Sequence, residues 1–331
     1  MKRLTAFAMV SAALALFATS VLAEGPSGRH TRVVSRPSLA ATGQPASLVP
    51  KAATAAASYS VQVNIVTRVV GTALFRTAID ITNNTATDGV VATVQYCFTQ
   101  NSVFQNCTAG QSLNLFAYGN FHEDDIVQYL GTLGVLPPGA DQASFGTLFV
   151  TFDNLPSNNG WEGTVTARTY SACAQCTQTP GTVAIAYPGS LFFESSSGTL
   201  VGTIRDTTTV SPIPAAGSLR TNLGVTNSAL YDATTPVSVQ VSFYDTDTGT
   251  RVGDFLAPTH ALQAGEVFQF NNVFTLAHIP ADVTSCIVFI DVLNPASATP
   301  ATIEGYINIL DGGTQDGAFF EMRCAVGCAG Y

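Results

Sequence analysis

One strand pattern occurs twice in this chain, 144 residues apart. Phe75-Arg76-Thr77-Ala78-Ile79-Asp80-Ile81-Thr82-Asn83 lines up with Leu219-Arg220-Thr221-Asn222-Leu223-Gly224-Val225-Thr226-Asn227. Four further pairs follow in the same order: residues 92–96 with 237–241, 125–127 with 272–274, 146–150 with 285–289, and 163–167 with 301–305. Collinear matches at a nearly constant offset mark a duplicated unit, so both halves must fold alike. The expected organisation is two homologous domains, 58–190 and 191–331.

Within each copy the apolar period is two. Ser60-Val61-Gln62-Val63-Asn64-Ile65 alternates, and short segments rich in Val, Ile, Thr, Tyr and Phe recur between Gly, Pro, Asn and Asp clusters. That rhythm belongs to sandwiches and barrels. The expected fold class is all-β, with two tandem antiparallel β-sandwich domains of Ig-like or other Greek-key type. The one helix candidate is 122–133, a short helix or a loop.

The first 23 residues read as a signal peptide. Lys2 and Arg3 precede an apolar run that ends in Val21-Leu22-Ala23, with small or modest residues where a peptidase cuts. Residues 24–57 read as a disordered linker, with Pro26, Pro37, Pro45 and Pro50 and no apolar periodicity. The expected localisation is secreted: extracellular, cell-surface or periplasmic, with no transmembrane segment after cleavage. Cleavage removes two of the 13 basic residues and none of the 22 acidic ones, shifting the formal charge from −9 to −11. So acidic a chain has no general attraction for polyphosphate, which argues against nucleic acid as a partner. Only 11% of residues are charged; Thr, Ser, Asn and Gln keep the surface wet instead.

In an oxidising compartment the seven cysteines read first as disulfides, and an odd count leaves one over. Cys97 ends an alternating strand and nine residues separate it from Cys107, a spacing that suits a bridge at the base of a hairpin. Closing that loop stabilises by about 2–3 kcal/mol. Ser242 stands where Cys97 would recur, so the bridge is peculiar to the first domain. Cys173 and Cys176 form a second local pair, with a redox pair or half a zinc site as the other readings. Near the end, Cys324–Cys328 competes with a bridge from Cys286 to either; the small loop through Gly327 is favoured, leaving Cys286 buried and free.

Candidate chemistry is sparse. His122-Glu123-Asp124-Asp125 is the densest polar cluster, and His with carboxylates could serve as a base or a metal site. The second copy has Gln269-Phe270-Asn271-Asn272 there, which points to capping, a role that Asp and Asn share. Asp245-Thr246-Asp247-Thr248-Gly249 resembles the start of a calcium loop, but Leu256 stands where the bidentate Glu belongs; a hairpin turn explains it better. Residues 311–317 read the same way. Arg76 and Arg220 are expected to fork onto carbonyls of the Asn-led turns at Asn83 and Asn227, where Asn tolerates left-handed backbone. Trp161, the single Trp, sits in an Asn- and Gly-rich loop. Core or lid packing is the commoner use of such a residue; stacking on a sugar, together with Tyr118, is the other.

The paired modules resemble a group of secreted bacterial proteins that carry an (F/L)RT(N/D)LxxxN strand and a late TxxxY strand. Here the pieces are Leu219-Arg220-Thr221-Asn222-Leu223 and Thr166-Ala167-Arg168-Thr169-Tyr170. The resemblance implies a paired β-sandwich fold and brings no activity with it. The expected function is a non-enzymatic structural or adhesion protein, with no cofactor. Its partner would be a surface polysaccharide or another extracellular protein. The alternative is a carbohydrate- or polymer-binding module accessory to an enzyme, and a secreted hydrolase using His122 stands third.

Overall fold

The computed structural model describes residues 57–70, 74–157, 160–172, 183–191, 196–207, 219–228, 236–293, 302–311 and 317–328. The leader, the linker up to residue 56, and the Cys173–Cys176 pair lie outside them, as does most of the 311–317 turn.

Among the described residues, ten strands build the first domain. They are β1 (Ala57–Val70), β2 (Leu74–Asn83), β3 (Val90–Gln100), β4 (Val103–Cys107), β5 (Gln111–Leu115), β6 (Asn120–Glu123), β7 (Ala143–Leu155), β8 (Gly163–Ala172), β9 (Val183–Pro188) and β10 (Ser190–Leu191). A helix, α1 (Ile126–Thr132), precedes β7. Nine strands build the second domain: β11 (Ser196–Arg205), β12 (Leu219–Asn227), β13 (Val239–Asp245), β14 (Arg251–Leu256), β15 (Val267–Phe270), β16 (Ser285–Val292), β17 (Ile303–Asp311), β18 (Gly317–Glu321) and β19 (Arg323–Cys328). A one-turn α2 (Val273–Leu276) precedes β16.

All pairings among these strands are antiparallel, and the neighbours within each layer follow a similar chain order in both domains, but the layers join differently: β1 pairs β2 in the first domain and β11 pairs β17 in the second. One layer of the first domain runs β4-β3-β7-β1, with β5 beside β3 and β10 beside β1; we call it layer a. The other, layer b, runs β6-β2-β8-β9. The layers join where β1 turns into β2, at Val69 opposite Phe75. In the second domain layer a is β14-β13-β16-β11-β19 and layer b is β15-β12-β17-β18, joined at Ser196 opposite Ile303. Alternating side chains from both layers fill each core: Val61, Val63, Ile79, Ile81, Val94, Leu148, Val150 and Val165 in the first domain, and Leu200, Leu223, Val225, Val241, Val288, Ile290 and Ile307 in the second. Each such side chain, fully buried, contributes about 1.5–3 kcal/mol.

Strand ladders refine the sequence match. Tyr96 lies opposite Leu148, and its counterpart Val241 lies opposite Ile290. Leu148 therefore corresponds to Ile290, not to Ile287 as the sequence pairing has it. Only this register keeps core residues on the core face, because a shift by an odd number of residues turns every side chain over.

The two domains meet face to face. On layer a of the first, Gln62, Asn64, Cys97, Thr147 and Phe149 alternate with core residues, point away from that core, and are nonetheless buried. On layer b of the second, Thr226, Glu304, Tyr306 and Asn308 do the same. Val267 and Tyr306 pack into the first domain's hydrophobic cluster, with Phe319 against it. Thr226 Oγ1 lies 3.5 Å from Asn64 Oδ1. Gly265, at φ +78°, is pressed on the Cys97–Cys107 disulfide: a Cβ there would sit 2.6 Å from Cys97 Sγ. The bridge carried by the first domain alone thus forms part of the joint.

A second disulfide links Cys324 to Cys328, and Cys286 is a free, buried thiol on the core face of β16. Burial first, and then the charge of Asp245, push that thiol up to about 12. At mildly alkaline pH its thiolate fraction falls about a thousandfold below that of an ordinary cysteine. Alkylation of the native chain is therefore expected to leave Cys286 unmodified until denaturant is added. Rapid native labelling, read by peptide mass, would contradict this.

Candidate functional site

The turns at one end of the first domain are organised by Asn83. It is buried, and its backbone is not left-handed. The side chain does the work instead: Nδ2 donates to the carbonyls of Thr87 and Phe116, each at 2.8 Å, and Oδ1 accepts from Thr85 N and Oγ1. Asn227 likewise donates to Leu262 O in the second domain. The expected arginine lock is absent from Arg76. Its guanidinium lies 4.8 Å over the ring of Tyr170, its cross-strand partner, because a strand holds Arg76 and the Asn83 turn seven residues apart.

Two more loops fasten to the same turn. Tyr118 N donates to Thr85 O at 2.8 Å. Asn84 N donates to Glu162 O at 2.7 Å, while its side-chain amide donates to Trp161 O at 2.8 Å and Thr164 Oγ1 at 3.0 Å. Glu162 is buried and holds its own loop by accepting from Ser157 N. Adjacent residues 84 and 85 therefore bring Trp161 and Tyr118 to opposite flanks of one turn. Phe116 joins them. The three aromatics are 58%, 70% and 76% exposed for Trp161, Tyr118 and Phe116. Trp161 is thus no lid over the core. Sequence reasoning missed Phe116, since an isolated Phe between strands reads as ordinary packing.

Tyr118 also has an unusual backbone. Its φ is +53°, and its ladder counterpart in the second domain is Gly265. Left-handed backbone costs a side-chain-bearing residue about 1–2 kcal/mol, and the second copy avoids that cost with glycine.

Layer b runs away from this end with a polar outer face. Thr82, Asp80 and Ala78 of β2 stand opposite Thr164, Thr166 and Arg168 of β8, and Asn120 and His122 of β6 flank the other side. Both nitrogens of His122 face carboxylates, Nδ1 to Asp80 at 3.0 Å and Nε2 to Asp124 at 3.3 Å. That arrangement favours the imidazolium, chiefly through the bond to Asp80, and raises the group's pKa. A raised value means that the pairing stabilises the fold below the unfolded pKa near 6.5 and fades as pH rises through the folded one. The His122 ring protons should titrate above 6.5 by NMR, and Asp80→Asn should bring the midpoint down more than Asp124→Asn. A midpoint unmoved by Asp80→Asn would refute the assignment.

Asp125 has a structural role. Asp125 caps α1, accepting from Gln128 N at 3.1 Å, and its other oxygen accepts from Arg68 Nε at 2.7 Å. Asn272 does not share that role: its backbone is left-handed and its side chain makes no cap bond. The shared capping expected from sequence therefore holds for Asp125 only. Asp245 makes a turn, accepting from Asp247 N and Thr248 Oγ1, and these bonds hold its carboxyl below the usual range.

No protein-family model and no curated protein matches this chain. Among solved structures, the apo form of a lectin from Pleurotus ostreatus aligns at 11% identity over 82% of this chain and 77% of that one. The TM-score is 0.15, a likeness too slight to argue from.

Proposed function

We propose that this chain is a non-enzymatic extracellular binding protein of adhesion type, and that the loop end carrying Phe116, Tyr118 and Trp161 contacts a polysaccharide. The observation behind this reading is the fastening of three exposed aromatics to one rigid turn. Three large aromatics, each more than half exposed, stand on loops tied to that turn, where their faces are free to meet a ligand. Aromatic faces take the apolar side of a sugar ring, and the amides and hydroxyls of Asn120, Thr82 and Thr164 lie within the adjoining strands to meet its hydroxyl groups. The backbone strain at Tyr118 supports a use for that side chain, since glycine would be easier to hold there. The two disulfides among the described residues suit an oxidising compartment. Among the described residues no helix is long and apolar enough to cross a membrane, which says nothing about strands.

A panel of insoluble polysaccharides in a pull-down with the chain from Glu24 onward tests this, with Trp161 fluorescence as a second readout. Trp161→Ala is expected to weaken binding about tenfold or more, or ~1.4 kcal/mol. Tyr118→Gly should weaken it similarly while leaving stability unchanged or slightly raised, because it relieves the left-handed strain. Failure to bind any polysaccharide, or binding that neither variant alters, would remove the reading.

A further inference from the structure

We propose that copies of this protein stack head to tail, with layer a of one copy's second domain seated on layer b of the next copy's first domain. The joint inside the chain is the template. There, layer a of the first domain covers layer b of the second. Because the strands within each layer follow a similar order in both domains, each molecule keeps one face of each kind outside the joint.

The open faces correspond residue by residue to the closed ones. Gln95 lies opposite Phe149 and Gln240 opposite Asp291, so Asp291 takes the place of Phe149; by the same ladders Ser242 takes that of Cys97. On layer b, Ala78 lies opposite Arg168 and Asn222 opposite Asn308, so Arg168 takes the place of Asn308. Tyr118 takes the place of Gly265.

These exchanges are complementary. In the internal joint a glycine meets a disulfide, with no room for a side chain. On the faces outside the joint a protruding tyrosine stands in for the glycine, and a small serine, itself buried among its neighbours on the sheet, for the half-cystine. Beside Ser242 lies an open recess of about 470 Å³, lined also by Tyr244, Gly249, Ile287, Phe289 and Asp291. Tyr244 and Phe289 meet edge to face there at 5.5 Å, which leaves aromatic surface for a third ring. The charges are complementary as well: Asp291, which accepts from Thr199 Oγ1 at 2.7 Å, on the recess side, and exposed Arg168, 5.6 Å over the Tyr170 ring, on the other. A head-to-tail contact of this kind uses two different patches, so it does not close on itself in pairs and leaves a free face at each end from which a linear stack can continue. Tyr118 then belongs to both contacts. Stacking covers it within the row, and the free first domain at the end of a row presents the polysaccharide site.

Sedimentation velocity on the chain from Glu24 onward, from micromolar to near-millimolar concentration, tests the stack. The wild-type chain is expected to grow with concentration. Arg168→Asp and Asp291→Arg, each confirmed folded by circular dichroism, are each expected to stay monomeric. Mixed in equal amounts they should stack again in alternation, since the intact layer a of one meets the intact layer b of the other and the two reversed charges also face each other. Tyr118→Gly, which the left-handed backbone accepts, should also remain monomeric. Trp161→Ala should stack as the wild type does, which separates this contact from polysaccharide binding. A wild-type chain that is monomeric throughout, oligomers that survive the single variants, or a mixture that stays monomeric would each overturn the proposal.

Discussion

Asp125→Ala is expected to destabilise the first domain by about 3–5 kcal/mol, the range for breaking one side of a buried ion pair. Arg68 and Asp125 are both buried, 2.7 Å apart, and bridge β1 to the start of α1. The guanidinium also donates to Asp141 O and reaches Gln128 Oε1 at 3.4 Å. Removing the carboxylate strands a positive charge in a dry site and leaves the Gln128 amide without its cap. Asp125→Asn keeps an acceptor for the helix but not the charge, so its loss should be intermediate. The double variant Arg68→Met with Asp125→Asn should recover most of the stability, because the cost lies in an unpaired charge rather than in a missing attraction. Urea denaturation followed by circular dichroism measures all three. If the double variant is no more stable than Asp125→Ala, the charge argument fails.

The second large effect is expected at Gly224, where alanine should cost about 3 kcal/mol by overpacking. The Tyr306 ring lies flat over this residue, and a Cβ would fall 1.9 Å from Cζ. The ring has no way out. It is fully buried, stacks on Phe319 at 6.0 Å, donates to Gln269 Oε1 at 3.0 Å and packs into the first domain. Displacing it opens the joint. The matching position in the first domain is Asp80, on an open face, where Asp80→Ala should cost well under 1 kcal/mol. Equal losses at the two positions, by the same urea measurement, would show that Tyr306 does not depend on Gly224.

The contrast between Asp80 and Gly224 marks where sequence reasoning stops. Period two and the short strands were legible because they arise from local alternation along the chain. The Cys97–Cys107 hairpin was legible for a similar reason: Cys97 and Cys107 lie in adjacent antiparallel strands, where spacing and turn chemistry place partners opposite one another. Trp161 and Tyr118 could be picked out as candidates by residue type and loop context, with core or lid packing as the commoner expectation for Trp161. Nothing in the sequence placed them on one turn, since Asn84 and Thr85 reach them across 77 and 33 residues.

Alternation separates the core-facing side chains of a strand from the outward ones. It carries no information about what lies beyond the outward face. Thr166 and Tyr306 occupy the same rung of equivalent strands, one exposed and the other fully buried. By itself the sequence determined two similar all-β units with alternating cores. The tertiary structure decided which outer faces are closed, because that burial depends on a second sheet contributed by residues more than a hundred positions away.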